Sequence, residues 1–421
     1  MRYKWLEKIP EHWAYKRGKH IFYTLKQKNE GNIENNILSL TLDGVIRNNR
    51  DNPVGLIPSD YATYQIFEKD NLVFKLIDLE NISTSRVGIV PERGIMSPAY
   101  IRLIAREVVN VNYFYYQYYS WWLRNIFNGL GGGVRQTLSA TDLLNLNIII
   151  PPLEEQDSIV RYLDDKCGKI DKLLEAYKRE VKTLDELKKA TINKAVTHGL
   201  DPNAPMKDSG VKWLGEIPEH WEIHRGKYLY EKAQRPVNDS DDIVTCFRDG
   251  VVTLRKNRRL TGFTESLKEI GYQGVRKGDL VIHVMDAFAG SIGVSDSDGK
   301  CTPVYNVCVA KCNINNHYYS YLLKEMARSG YIQSLYRGIR ERSSEFRFDV
   351  FARQYFPVPP RAEQDSIARY LDNKCSKIDR GINLKRSQIK LWQEYKARLI
   401  SDVVTGQLDV RGVNGNGNRY E

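Results

Sequence analysis

Long hydrophobic runs are missing from this chain. None approaches the ~20 apolar residues of a membrane span, and Met1-Arg2-Tyr3-Lys4-Trp5 does not read as a signal peptide. Cysteine is scarce, with six in 421 residues and no C-x-x-C pair. That excludes a disulfide scaffold and fits small buried hydrophobes in a reducing cytoplasm. Cys301, Cys308, Cys312 and His317 include zinc-ligand types, but Cys308, Ala310 and Cys312 alternate with Val307 and Val309 as a buried strand does. We therefore expect no metal site. Catalytic motifs are also wanting. Gly129-Leu130-Gly131-Gly132-Gly133-Val134 lacks the last glycine of G-x-G-x-x-G and the Gly-Lys-Ser/Thr of a phosphate loop, and reads as a flexible loop. Neither H-E-x-x-H nor an Asn-Pro-Pro-aromatic motif occurs. The sequence predicts no enzyme and no cofactor in this chain.

What the chain does have is positive charge and tyrosine. Net charge is +11, with 26 Tyr, while 42% hydrophobic and 27% charged residues are ordinary for a globular protein. A basic, tyrosine-rich chain points to nucleic acid. Its length suggests two or three domains.

The chain also has a repeat. Pro151-Pro152-Leu153-Glu154-Glu155-Gln156-Asp157-Ser158-Ile159 recurs as Pro359-Pro360-Arg361-Ala362-Glu363-Gln364-Asp365-Ser366-Ile367, so that Glu155 falls on Glu363 at an offset of 208 residues. Proline followed by acids opens a helix, since the missing N–H has no helical partner there and carboxylates suit the positive end of the macrodipole. Next comes a heptad of Leu163, Cys167, Ile170, Leu174, Tyr177, Val181 and Leu184. Its copy carries Leu371, Cys375, Ile378, Ile382, Lys385, Ile389 and Trp392, then Leu399 and Val403. Such a narrow seam calls for another helix, which predicts a mutual two-helix coiled coil. Gly199 and Gly406 are positioned as left-handed caps.

The repeat reaches the start of each half. Trp5-Leu6 and Ile9-Pro10-Glu11-His12-Trp13 match Trp213-Leu214 and Ile217-Pro218-Glu219-His220-Trp221, and Arg17-Gly18-Lys19 matches Arg225-Gly226-Lys227. His12 and His220, duplicated with their context, read as packing residues and not as a general base. Between about 20–150 and 228–358 identity nearly vanishes, yet an Asp-Gly turn, a Pro-x-Tyr landmark and an aromatic helix appear in both. We expect α+β domains that share a fold and differ on their surfaces, related by a pseudo-two-fold repeat. The organisation is then 1–150 first globular domain, 151–200 central helix, 201–212 linker, 213–358 second globular domain, 359–411 distal helix and 412–421 disordered tail.

Basic loops in both domains are the candidate binding residues. The first domain offers Arg47, Asn48, Arg50, Arg135 and Gln136. The second offers Arg255, Lys256, Arg258, Arg259, Arg337, Arg340, Arg342 and Arg347. Arginine pairs with guanine edges and asparagine or glutamine with adenine, while lysine holds phosphate. A solvated charged face is the alternative for any single residue.

The duplicated Pro-Pro-x-x-Glu-Gln-x-x-Ile-x-x-Tyr-Leu helix (Pro151 to Leu163), the Trp-Leu-Gly-x-Ile-Pro lead-in (Trp213 to Trp221) and the Val-Thr-Gly-Gln-Leu exit (Val404 to Leu408) resemble the specificity subunit of type I restriction–modification systems. That resemblance implies two target-recognition domains, separated by an antiparallel two-helix coiled coil, each reading half of a bipartite double-stranded DNA site. It implies helices that set the spacer and dock two methyltransferase subunits, which recruit motor/nuclease subunits in the cytoplasm. S-adenosylmethionine, ATP and Mg²⁺ would belong to those partners. Two other readings compete: a stand-alone nucleic-acid-binding scaffold, and a fused enzyme with degenerate motifs.

Overall fold

The computed structural model describes residues 9–48, 60–80, 84–130, 137–258, 261, 269–335 and 345–412. The chain divides into two compact units, residues 1–178 with 386–421, and residues 179–385. Of the sequence candidates, Arg50, Arg135, Gln136, Arg259, Arg337, Arg340 and Arg342 lie outside the described residues, as does the tail from 413 onward.

In the first unit β1 (Ala14–Arg17) and one-turn α1 (Gly18–Ile21) lead to β2 (Phe22–Tyr23). The hairpin β3 (Leu38–Thr41) and β4 (Gly44–Arg47) turns at Asp43-Gly44. Then come β5 (Gln65–Phe67), β6 (Leu72–Phe74), β7 (Val87–Ile89), β8 (Gly94–Met96) and β9 (Ile101–Ala105). The four-stranded sheet runs β2-β9-β6-β7. Helix α2 (Val111–Leu123), short α3 (Ala140–Asn145) and β10 (Asn147–Ile150), which pairs with β1, bring the chain to α4 (Leu153–His198).

The second unit adds an opening hairpin, β11 (Met206–Asp208) with β12 (Glu216–Pro218), so part of the 201–212 linker is strand. It then repeats the first: β13 (Glu222–Arg225), α5 (Gly226–Leu229), β14 (Tyr230–Lys232), β15 (Val244–Cys246), β16 (Val252–Leu254), β17 (Gln273–Val275), β18 (Leu280–His283), β19 (Ile292–Val294), β20 (Gly299–Cys301) and β21 (Tyr305–Ala310). The sheet order β14-β21-β18-β19 is that of the first unit. Helices α6 (Asn316–Arg328), α7 (Tyr331–Ser334) and α8 (Phe348–Arg353), then β22 (Tyr355–Val358), lead into α9 (Arg361–Val404). Helix α7 and the opening hairpin have no described counterpart in the first unit.

Glycines keep the hairpin on the sheet in both units. A Cβ on Gly88 would sit 2.7 Å from Leu40, and one on Gly293 would sit 2.0 Å from the Gly250 carbonyl oxygen. A side chain at either position would push the hairpin off.

The heptads do what their spacing predicts. Within the first unit Asp171 bonds Lys396 at 2.6 Å, and Glu155 lies 3.9 Å from Arg411. Within the second, Glu180 meets Lys385 at 2.6 Å, Lys188 meets Asp379 at 2.7 Å, and Glu363 lies beside Gly199. Partner numbers fall as residue numbers rise, so in each unit the α4 and α9 segments run antiparallel. Leu163, Cys167, Ile170 and Leu174 are buried, as are Leu371, Cys375, Ile378 and Ile382. Asp171–Lys396 and Asp379–Lys188 are the same pair under the 208-residue offset, which ties one register into both units. Gly199 and Gly406 close the helices at φ 75° and 72°.

Candidate nucleic-acid interface

Each unit is held to its long helices by one duplicated clamp. Trp13 donates its indole N–H to Glu155 at 2.9 Å, and the His12 ring lies 2.8 Å from the same carboxylate. Trp221 donates to Glu363 at 3.1 Å, with His220 at 2.9 Å. The next two residues of the motif hold the aromatic helix. The Asn110 N–H donates to the Gln156 side chain at 3.0 Å, and its side-chain amide to Asp157 at 2.7 Å. Asn315 does the same with Gln364 at 2.8 Å and Asp365 at 2.6 Å. Asn110 and Asn315 in turn cap α2 and α6. Tyr113 and Tyr318, fully buried, donate to the carbonyls of Val404 and Val196 at the far ends of the partner helices. Burial pushes both phenols well above their ordinary pKa, so they remain donors. The Glu-Gln-Asp triplet is thus a socket, and the carboxylates do more than suit a helix dipole. The histidines read in the sequence as packing residues are exposed, and what they do is bond the socket carboxylates.

The candidate basic residues fall in two loops per unit, rooted at corresponding places in the two units. The residue after the hairpin bonds back to the preceding strand: Asn48 N–H to the Ile37 carbonyl at 2.8 Å, Arg255 N–H to the Ile243 carbonyl at 2.7 Å. The loop before the short helix is pinned by Leu138 N–H to Leu76 at 2.9 Å and by Phe346 N–H to Val284 at 2.8 Å. These roots lie at opposite ends of the central strand. Arg47 pairs with Glu92, past the end of β7 that flanks the start of β6, whereas Leu138 meets the chain just after β6. Three residues of β6 at ~3.3 Å each put about 10 Å of strand between the roots.

Four of the described basic candidates are ion-paired. Arg47 grips Glu92, Lys256 holds Asp242 at 2.6 Å, Arg258 holds Asp249 at 2.8 Å, and Arg347 grips Glu345. Arg258 also stacks 4.6 Å from the Phe247 ring centroid. Donating to these carboxylates raises the pKa of Arg47, Arg258 and Arg347, and Asp249 and Glu92 are lowered in turn. Asn48 donates to the Ser39 hydroxyl at 2.8 Å. Solvent screens exposed pairs of this kind, so each can be exchanged for a phosphate at little cost. Arg255 begins a one-turn helix, Arg255–Asn257. Among the described residues no group of His, Cys, Asp or Glu is arranged to hold a metal ion, and no helix is long and apolar enough to cross a membrane.

Affinity for duplex DNA should therefore fall steeply with salt. Each neutralised phosphate contributes about −0.9 to the slope of log affinity against log salt. Anisotropy titrations should give a slope of several units, and a slope near zero would contradict an electrostatic interface.

Residues 14–183 match the family model for the type I restriction modification DNA specificity domain. The type I restriction enzyme MjaVIII specificity subunit of Methanocaldococcus jannaschii is 23% identical over 367 residues, 83% of this chain and 82% of that protein. A solved structure concerned with complex assembly and conformational transition of the type I R-M system aligns with a TM-score of 0.67 at 15% identity, over 96% of this chain and all of that one. The HsdS subunit from Thermoanaerobacter tengcongensis aligns at 15% identity with a TM-score of 0.49, over 96% and 99% of the two chains. The first of these structures shares the fold described above.

Proposed function

We propose that this chain, a member of the type I restriction specificity subunits, selects the DNA sequence on which a restriction–modification complex acts and performs no chemistry itself. The observation that carries the reading is the contrast inside one chain. Two units repeat the same strand order and the same Glu-Gln-Asp socket, down to a 2.9 and a 3.1 Å indole bond, while the loops rooted on them differ in sequence. A repeated frame suits repeated partners, and divergent loops suit two different half-sites.

On this reading each recognition domain binds one half of a bipartite site in double-stranded DNA, and the long helices set the spacer. Two methyltransferase subunits dock on the duplicated frame, and motor/nuclease subunits join through them. S-adenosylmethionine, ATP and Mg²⁺ are bound by those subunits. Methylome sequencing of cells with and without the gene tests this. One bipartite, asymmetric methylated motif should vanish on deletion; an unchanged methylome would overturn the reading.

A further inference from the structure

The second domain carries a cleft of about 470 Å³, lined on its apolar side by Val284, Met285, Pro303, Val304 and Phe348. Its floor is held firmly. The Val284 N–H donates to the Val304 carbonyl at 2.8 Å, and the Phe346 N–H donates back to Val284 at 2.8 Å. Asn306, buried beneath, donates through its side chain to the Phe346 carbonyl at 2.9 Å. On that fixed floor stand two apolar side chains that the fold leaves in water, Met285 at 42% exposure and Val304 at 38%. The first unit repeats the placement. Ile77, the counterpart of Met285 at the 208-residue offset, is 37% exposed beside the Leu138–Leu76 anchor.

The charges around the cleft narrow its ligand. Lys232 and Arg347 stand on the rim with Glu345 and Asp349, so this is no plain anion site. In sequence, the chain reaches the rim directly from the stretch that holds Arg337, Arg340 and Arg342. Against base edges in the major groove, an apolar wall can discriminate through one group. The sole apolar group that a base pair displays in the major groove is the 5-methyl of thymine.

We propose that this cleft is a base-reading subsite of the second domain, in which Met285 and Val304 pack against a thymine methyl while Arg347 leaves Glu345 for a flanking phosphate. The proposal rests on the DNA-specificity reading above. Its test starts from the full chain assembled with its methyltransferase subunits and shown to methylate, so a failure here is separate from a failure of that reading. Thymines of the methylated site are replaced one at a time by deoxyuridine, which removes only the methyl. One replacement, in the half-site of the second domain, should weaken binding about fourfold, the worth of burying one methyl-sized group. The Met285→Ala/Val304→Ala double variant should bind that duplex and its parent equally, and Met285→Leu should restore the difference. Both positions are exposed, so thermal unfolding of the variants should match the parent. The subsite is overturned if the half-site holds no thymine on either strand. It is equally overturned if the variant retains every uracil penalty, or lowers affinity for all duplexes alike.

Discussion

Trp221→Ala is expected to destabilise the second unit by about 3–5 kcal/mol, the usual cost of emptying a large aromatic site. Trp221 is fully buried, packs edge-on against Tyr318, and touches the helix-capping Gly199. Its indole satisfies Glu363 at the start of α9, so one side chain joins the end of α4, the start of α9 and the aromatic helix. Truncation also removes one donor from the partly exposed Glu363 carboxylate, which keeps His220, so the cavity dominates the loss. Hydrogen exchange should report the loss over residues 206–225 and 355–371, with the first unit retaining its protection. Trp13→Ala should act in the same way on the first unit and less strongly, because Trp13 keeps 8% exposure. Equal loss of protection in both units after either change would show that the clamps are not local keystones.

Adding one matched heptad to each long helix, near Val181 and Ile389, should lengthen the unspecified spacer by about three base pairs and leave both half-motifs intact. A helix rises ~1.5 Å per residue, so seven residues add about 10 Å. DNA advances ~3.4 Å per base pair. Whole heptads keep the seam and the Asp171–Lys396 and Lys188–Asp379 pairs in register. One or two extra residues would rotate the seam and should impair folding instead. Methylation mapping of the insertion variant gives the answer. An active variant with an unchanged spacer would mean that something other than helix length sets the distance.

Different parts of this molecule were legible in the sequence to different degrees, for physical reasons. The long helices were plain, because a heptad is a local pattern and the second copy served as an internal standard. The caps Gly199 and Gly406 were visible for the same reason. The sheets were not, since strands such as Leu72–Phe74 have only three residues and are buried throughout, leaving no alternation to read. Their shared order depends on pairings such as Leu72 with Leu103, and on close approaches at Gly88 and Gly293, which are separated far along the chain. The Glu155 and Glu363 sockets were seen as repeated letters, but their tryptophan partners lie 142 residues away. The basic loops were found by charge alone. Charge does not show that Arg47, Lys256, Arg258 and Arg347 each hold a carboxylate, nor that the two loop roots sit at opposite ends of β6. Met285 and Ile77 passed unnoticed because a lone apolar residue after a strand resembles core until its exposure is known.

The central claim is that the repeated frame is common and the loops carry specificity. Its most direct measurement is methylation motif mapping after the segment between Trp221 and Pro359 is replaced by that of a foreign recognition domain. The account predicts that one half of the bipartite motif changes while the other half stays as it was. A change in both halves, or in neither, in a complex that still methylates would contradict it.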